Sequence, residues 1–514
     1  MSSSQRNKRI AKNSLFLYIR MVVVLIANLY TVRLVFKTLG VIDYGIFDVI
    51  TGITTILITV TGVLSTATQR FYSISFGEKN LEKISLVFST SLKIYFGLSM
   101  IIILFGQTIG VWFINSKLNM PIERLPAVHM VFQFSLFSSF FMLMQVPYFS
   151  AVIAKEDLDV FSFISLLEVL LKVLSISIIS KAEGDKLIFY GIALFIISIL
   201  VFLCYFIFAY LKYPFLRFKS KTDKVLLNEL VSFSSWSLFG SLASVSINQF
   251  ITILMNISFG PSVNATRAIS LQVYGVLGSL TSSIFLALRP QMIQSYSEKS
   301  FNYLNSLFNF SNKAIYYGLL IICIPLFIEM ESILVFWLSN NDPQTILFCR
   351  LILVYGLIMA LNNPISIIIQ ATGHVKVYHL IVEFFTLLCG PISLILFKAG
   401  FSPSSSYYVI ILMSIFAHVA RVILLRKFYN EFDFPYYIKS FLVPAFAVTF
   451  IAFFTGFLFS KIDTGFYIRI PVGLLISLII ISVLVYFFGL SGSEKLEVKK
   501  IYENIKLRLI KNGR

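Results

Sequence analysis

The stretch Leu39-Gly40-Val41-Ile42-Asp43-Tyr44-Gly45 lies between two long apolar runs, and its pattern returns 220 residues later as Phe259-Gly260-Pro261-Ser262-Val263-Asn264-Ala265. A second pair behaves in the same way. Pro147…Ala154 followed by Val160-Phe161 matches Pro364…Ala371 followed by Val377-Tyr378, at an offset of 217. Two nearly equal offsets, each at the same place in a six-helix unit, predict a duplicated architecture. Six crossings are an even number, so both units share one orientation. The expected arrangement is two parallel repeats related by an axis along the membrane normal.

Outward from these corners the chain reads as one apolar run after another. A spanning helix needs roughly 20 mainly apolar residues. Fourteen segments qualify, at about 14–36, 44–69, 85–113, 127–154, 159–180, 187–211, 231–258, 264–288, 306–338, 344–372, 376–398, 404–425, 437–459 and 468–489. The fold class expected is therefore an all-α membrane protein of about 14 transmembrane helices. The parts are an N-lobe (1–211), a basic linker (212–230), a C-lobe (231–426), an additional helix pair (427–490) and a basic tail (491–514). No soluble domain fits between them. Of the 514 residues 58% are apolar and only 13% charged, against about 25% charged in a soluble chain.

The net charge of +18 would suggest a nucleic-acid partner in a soluble protein. Here it follows the positive-inside rule, and no nucleic acid is expected. With the N-terminus inside, the segments on the cytoplasmic side hold 27 of the 42 basic residues and the opposite loops only eight; the other seven fall inside spans. A missed or additional helix would reverse this bias downstream, so an even count with both termini cytoplasmic is expected. The first span follows a basic segment, Met1 to Asn13, and is too long for a signal peptide, so it reads as an uncleaved span. Cys204, Cys323, Cys349 and Cys389 have no metal or redox spacing, which predicts free buried thiols. The four histidines form no metal signature. No metal and no cofactor are expected.

This pattern resembles the polysaccharide flippase branch (O-antigen type, Wzx-like) of the multidrug/oligosaccharidyl-lipid/polysaccharide (MOP) exporter superfamily. The resemblance covers the whole chain. Its local residues are Leu39-Gly40-x-x-Asp43-Tyr44-Gly45-x-Phe47, Arg70 closing span two, Pro147…Ala151…Ala154, and Ala265-x-Arg267-x-Ile269. It implies two MATE-like lobes in a bacterial inner membrane. It also implies flipping of an undecaprenyl-diphosphate-linked oligosaccharide for surface polysaccharide synthesis, with membrane lipids and the polysaccharide polymerase or ligase machinery as partners. Related flippases of lipid-linked precursors use basic residues in the first and eighth spans.

Candidate site residues come from polar stripes at helical spacing. Asp48, Thr51, Thr55, Thr59, Gly62 and Thr66 mark span two; Ser237, Ser241, Ser244, Asn248 and Thr252 mark span seven; Asn264, Arg267, Ser270, Tyr274 and Gly278 mark span eight. Such stripes can be ordinary helix packing. All three flank the repeated glycine corner, which predicts a shared, solvated polar cavity. Intramembrane charges add Arg20, Lys93, Lys172, Lys313 and Arg350, and the acids Glu168 and Glu383. Each costs about 2.5–3.5 kcal/mol at mid-membrane, so each should face protein or water. Arginine grips phosphate oxygens in a bidentate fork. Arg20 and Arg267 are accordingly the expected diphosphate contacts, with Asp48, Thr55, Asn248 and Tyr274 around them. Glu168 and Lys172, four apart, are either a self-neutralising pair or a coupling element of the cavity.

Two other functions remain open at this level. A multidrug or cation antiporter of the same superfamily would favour acidic cavities and usually twelve spans. A membrane-embedded glycan polymerase, ligase or glycosyltransferase would need a sizeable outward loop or an acidic cluster. The longest outward loop, about 114–126, has only Glu123, while Glu156, Asp157 and Asp159 read as a solvated cytoplasmic turn. No catalytic residue is assigned, and the chain reads as a transporter, not an enzyme.

Overall fold

The computed structural model describes residues 23–52, 80–155, 157–218, 248–339, 342–460 and 466–490, with a few single positions between and beyond them. The described residues are helical throughout, without a strand. In chain order the helices are α1 (Val23–Gly52), α2 (Leu81–Ser116), α3 (Ile122–Ala154), α4 (Leu158–Ile179) and α5 (Lys186–Lys212). Then come α6 (248–259), α7 (Pro261–Ser297), α8 (Phe301–Ile328) and α9 (Met330–Leu338). The chain continues with α10 (Pro343–Thr372), α11 (Val375–Lys398), α12 (Ser405–Phe428), α13 (Phe434–Leu458) and α14 (Phe466–Leu484).

Eleven of the described helical runs are long and apolar enough to cross a bilayer. The difference from the sequence count has identifiable causes. Spans two and seven run into positions outside the described residues. The 37-residue α7 is long enough, but Asn264, Arg267, Ser270, Gln272, Ser279 and Thr281 dilute its apolar content. The loop expected between spans one and two is also shorter than foreseen, because α1 runs through the corner to Gly52.

The two repeated glycines share one backbone conformation. Gly40 has φ +78° within α1, and Gly260 has φ +86° between α6 and α7. That left-handed region is open to glycine and costs other L-residues energy, so the residue type is dictated at both corners. Elsewhere, side-chain caps mark where helices begin. Asn80 accepts from the Lys83 amide at 2.9 Å, and Asp342 accepts from the Thr345 amide at 2.8 Å. The Asp185 carboxylate accepts from Leu187 at 3.0 Å and Ile188 at 3.3 Å. These caps satisfy amides that the first helical turn leaves unpaired.

The chain divides into two compact units. One comprises Met1–Ala268 with Gly390–Pro403, the other Ile269–Cys389 with Ser404–Arg514. Among the described residues, apolar cores of the first unit gather around Val131, Phe132 and Leu136 and around Tyr72, Phe88 and Tyr148. A core of the second is built on Phe308, Leu320, Ile368 and Phe441. Polarity is inverted relative to a soluble protein. Phe163, Ile178, Phe446 and Phe450 are exposed on helix exteriors, while Ser89, Ser139, Asn256, Asn264 and Arg267 are buried. A lipid solvent produces this distribution, since apolar side chains gain nothing by leaving it and polar ones must find partners inside.

The four cysteines are free, and Cys323, Cys349 and Cys389 are buried, with Cys204 partly so. Among the described residues no cluster of His, Cys, Asp and Glu is arranged to hold a metal.

Candidate functional site

The two glycine corners meet within the first unit. A Cβ added to Gly45 would lie 1.8 Å from the Pro261 carbonyl oxygen and 3.2 Å from the Ala265 amide nitrogen. Positions 45 and 265, which match in the sequence pattern, are thus in backbone contact, an approach that the absence of a side chain on Gly45 permits. About two turns on, a Cβ at Gly52 would meet Gln249 Oε1 at 2.6 Å. Gly45 and Gly52 are the residues that sequence reading undervalued: one was quoted only as part of the corner, the other not at all.

Around this crossing sits a polar cluster. Arg267 on α7 is 1% exposed, among the bulkiest of the fully buried side chains of the described residues. Its Nε donates to Thr252 Oγ1 at 2.9 Å, and its Nη2 donates to the Asn248 carbonyl at 3.2 Å. Asp48 on α1, partly buried, lies near enough for its charge and that of Arg267 to interact. Asn264 Nδ2 donates to the Thr252 carbonyl at 2.7 Å, and Asn256 Oδ1 accepts from the Asn119 amide at 3.0 Å. The cluster joins the stripes of spans two, seven and eight at their corner ends. Arg267 was expected to face a solvated chamber. In this conformation it is instead packed against Thr252 and the α6 carbonyl, because a buried guanidinium is stabilised by fixed oxygen acceptors and a nearby carboxylate.

Of the other site residues read from the sequence, Asn248 is exposed at the start of α6. Tyr274 belongs to the second unit, where its ring packs on Tyr355 at 5.3 Å. Ser270 of the same stripe is buried and bonded to the Tyr407 hydroxyl at 2.5 Å. Arg20 and Thr55, along with Thr59, Gly62, Thr66, Ser237, Ser241 and Ser244, lie outside the described residues.

Several intramembrane charges have local partners that account for them. Lys172 Nζ lies 2.6 Å from Glu168 Oε1 within one helix, both side chains about one-third exposed. Arg350 donates to the Phe327 carbonyl at 3.0 Å, serving an acceptor freed where α8 ends after Pro325. Glu383 sits 3.6 Å from His379 on α11. The acidic turn after α3 also has a structural task. Asp157 accepts from the Tyr213 hydroxyl and pairs with Lys212 at 3.0 Å, tying the start of α4 to the end of α5. Burial raises the Tyr213 hydroxyl well above its ordinary pKa, and the Asp157 bond adds to this.

A clasp that sequence reading missed holds the first corner. Arg124 forks onto Asp43, with Nε donating at 2.9 Å and Nη2 at 2.6 Å, and onto Asp185, with Nη1 donating at 2.6 Å. Burial works to raise the Asp185 pKa. The Arg124 bond and charge, together with the Ile188 and Leu187 amides, outweigh it and hold the carboxyl below its ordinary value. Asp43 was visible in the corner motif, but its partner is 81 positions away and carries no local signal.

No protein-family model matches the sequence. The chain is similar to the uncharacterized membrane protein EpsK of Bacillus subtilis (strain 168), with 21% identity over 403 residues, 71% of this chain and 77% of that one. Among solved structures, an inward-facing multidrug resistance MATE family transporter of the MOP superfamily superposes with a TM-score of 0.68 at 13% identity. That match covers 78% of this chain and 94% of the transporter. The lipid II flippase MurJ, in an inward closed conformation, gives 0.66 at 16% identity and covers 92% of this chain and 99% of MurJ. A MOP superfamily transporter from Pyrococcus furiosus, described as having reversed polarity of its binding pocket, gives 0.58 at 14% identity over 82% of this chain and 95% of its own. The protein is therefore a multi-pass membrane protein with the fold of MOP-superfamily MATE transporters and of the MurJ flippase.

Proposed function

We propose that the protein is a flippase that moves an undecaprenyl-diphosphate-linked oligosaccharide from the cytoplasmic to the outer leaflet of a bacterial inner membrane. The observation that carries this reading is the buried Arg267, set at the contact of two repeat-related corners with Asp48, Thr252 and Asn264 around it. A diphosphate entering the corner competes with Asp48 for the guanidinium. Asp48 thus serves as the resting counter-ion, and Arg267 as a phosphate contact, with Arg20, Thr55, Asn248 and Tyr274 completing the path. Glu168 and Lys172 belong to the lobe's internal charge balance.

Transport proceeds by alternating access, with spans 1–6 (1–211) rocking against spans 7–12 (231–426) in a fourteen-span chain whose termini are cytoplasmic. The lipid tail stays in the bilayer, because each CH₂ withdrawn from hydrocarbon costs about 0.8 kcal/mol. A shallow groove between α8, α13 and α14, lined by Ile328, Ala452, Thr455, Gly456, Gly473 and Ile476, offers such a tail a lateral seat. The fold likeness takes in 92% of this chain for MurJ and 78% for the inward-facing MATE transporter, and the fold is compatible with a flippase and with an antiporter alike.

The test is transport by the purified full chain in proteoliposomes. Protection of a fluorescent lipid-diphosphate oligosaccharide from an external quencher should be lost with time in vesicles holding the protein. Movement of cationic dyes against a proton or sodium gradient, with none of the lipid substrate, would replace this reading with the antiporter.

A further inference from the structure

The second unit buries a positive charge of its own. Arg421 on α12 is 8% exposed and His418, one turn earlier on the same face, is 9% exposed. Arg421 Nε donates to the Tyr378 hydroxyl on α11 at 3.0 Å, and its guanidinium lies 5.9 Å from that ring. Its Nη1 is buried without a hydrogen-bond partner. Among the described residues no carboxylate pairs with it; Glu383 on α11 lies 3.6 Å from His379. A guanidinium removed from water is costly unless an anion or a full set of acceptors compensates it. Arg267 has two oxygen acceptors and the charge of Asp48 nearby, and Arg350 has two backbone carbonyls; Arg421 has a single tyrosine hydroxyl.

The neighbouring histidine adds the second half. Asn362 Nδ2 is directed at Met359 Sδ at 3.4 Å, so Asn362 Oδ1 accepts from His418 Nδ1 at 2.8 Å. The neutral ring then presents Nε2 as an acceptor, and this atom too is buried without a partner. The residues that carry one unsatisfied cationic donor and one unsatisfied acceptor therefore sit a helical turn apart on α12, and their hydrogen bonds reach α11 and α10. We propose that Arg421 and His418 form a binding site for a small oxyanion that carries a proton, of the hydrogenphosphate or hydrogencarbonate class. One oxygen of the anion accepts from Arg421 Nη1, and its O–H donates to His418 Nε2. A halide has no proton to give Nε2, and neither has the phosphodiester of a lipid headgroup. The anion neutralises the buried cation and pins three helices of the second unit together.

The experiment measures the thermal midpoint of the detergent-purified full chain in sodium phosphate, sodium hydrogencarbonate, sodium chloride or sodium gluconate. Ionic strength and pH are matched. At least one of the two oxyanions should raise the midpoint by about 2–4 °C over gluconate, with chloride giving no rise. Arg421→Gln and His418→Gln should each remove the increment. Should Arg421→Gln fail to fold, the His418→Gln comparison decides alone. Equal midpoints in all four salts, a chloride effect as large as that of the oxyanions, or an increment that survives in the folded variants would overturn the proposal.

Discussion

A contact ion pair and a longer-range encounter of opposite charges, both within the spans, make an instructive contrast. Glu168 and Lys172 lie four apart on α4 and meet at 2.6 Å, with about a third of each side chain exposed. Asp48 and Arg267 come from helices 219 positions apart in sequence, and Arg267 is almost wholly buried among fixed oxygens. The first pair neutralises itself wherever α4 goes, because the spacing alone brings the charges together. The second exists only when the two corners cross. A charge held by distant elements can be redirected when those elements move or a ligand arrives; a charge held within one helical turn cannot. This difference separates a charge that serves the helix from one that serves the site.

Substitutions can break the contrast, starting with the corner itself. Gly45→Val places side-chain atoms onto the Pro261 carbonyl, which already lies 1.8 Å from the added Cβ. Backbone cannot give way by that much at small cost. The expected outcome is loss of folded, monodisperse protein, read by size-exclusion fluorescence of a fusion. Folded Gly45→Val protein at wild-type yield would mean the corners do not meet as described.

Next in size is the clasp. Arg124→Ala leaves Asp43 and Asp185 facing each other without their shared cation, and loses about 1–3 kcal/mol for charge-assisted bonds. Thermal unfolding should shift down by several degrees, while the Arg267 cluster keeps its bonds. The sign with pH is defined for Asp185, whose pKa is lowered in the folded state. Its contribution is complete above the ordinary carboxylate value of about 3.9 and is lost as pH falls through the lowered value. In an Asp43→Asn background, which leaves Asp185 as the carboxylate partner of Arg124, the gap between the background and its Arg124→Ala variant should stay open between pH 4 and 7. A gap that closes within that range would contradict the assignment.

The smallest effect belongs to α4. The double variant Glu168→Gln, Lys172→Met removes both charges together and should cost about 0.5 kcal/mol or less. Flipping rates should remain within about twofold of wild type. A loss as deep as that from a corner substitution would move this pair from the helix to the transport machinery.

How much of this was legible beforehand follows from the same distinction. Helix content, apolar spans, free cysteines and the Glu168–Lys172 contact depend on composition and local spacing, and they read directly. The two glycine corners were legible as similar stretches of sequence, and the positive φ that Gly40 and Gly260 share gives the physical reason for glycine at both. The Arg267–Thr252 bond was half legible, since stripes on spans seven and eight pointed at one corner without fixing which atoms meet. Arg124 with Asp43 and Asp185, Arg350 with the Phe327 carbonyl, and Arg421 with Tyr378 were not legible. Each joins helices whose contact is set by tertiary packing, and no periodicity encodes it. The solvated surroundings expected for Arg267 failed for the same reason: a polar stripe does not say whether its partner is water or another helix.

The central claim is that Arg267 is the phosphate-gripping cation of the transport path. The most direct measurement is the initial flipping rate of a fluorescent lipid-diphosphate oligosaccharide in proteoliposomes, for wild type, Arg267→Ala and Arg267→Lys at matched folded protein. Loss of a charge-assisted contact of about 1.5–3 kcal/mol predicts a fall of about tenfold or more for Arg267→Ala. Arg267→Lys should retain an intermediate rate, because the charge remains while the bidentate fork is lost. Wild-type flipping by folded Arg267→Ala would contradict the account.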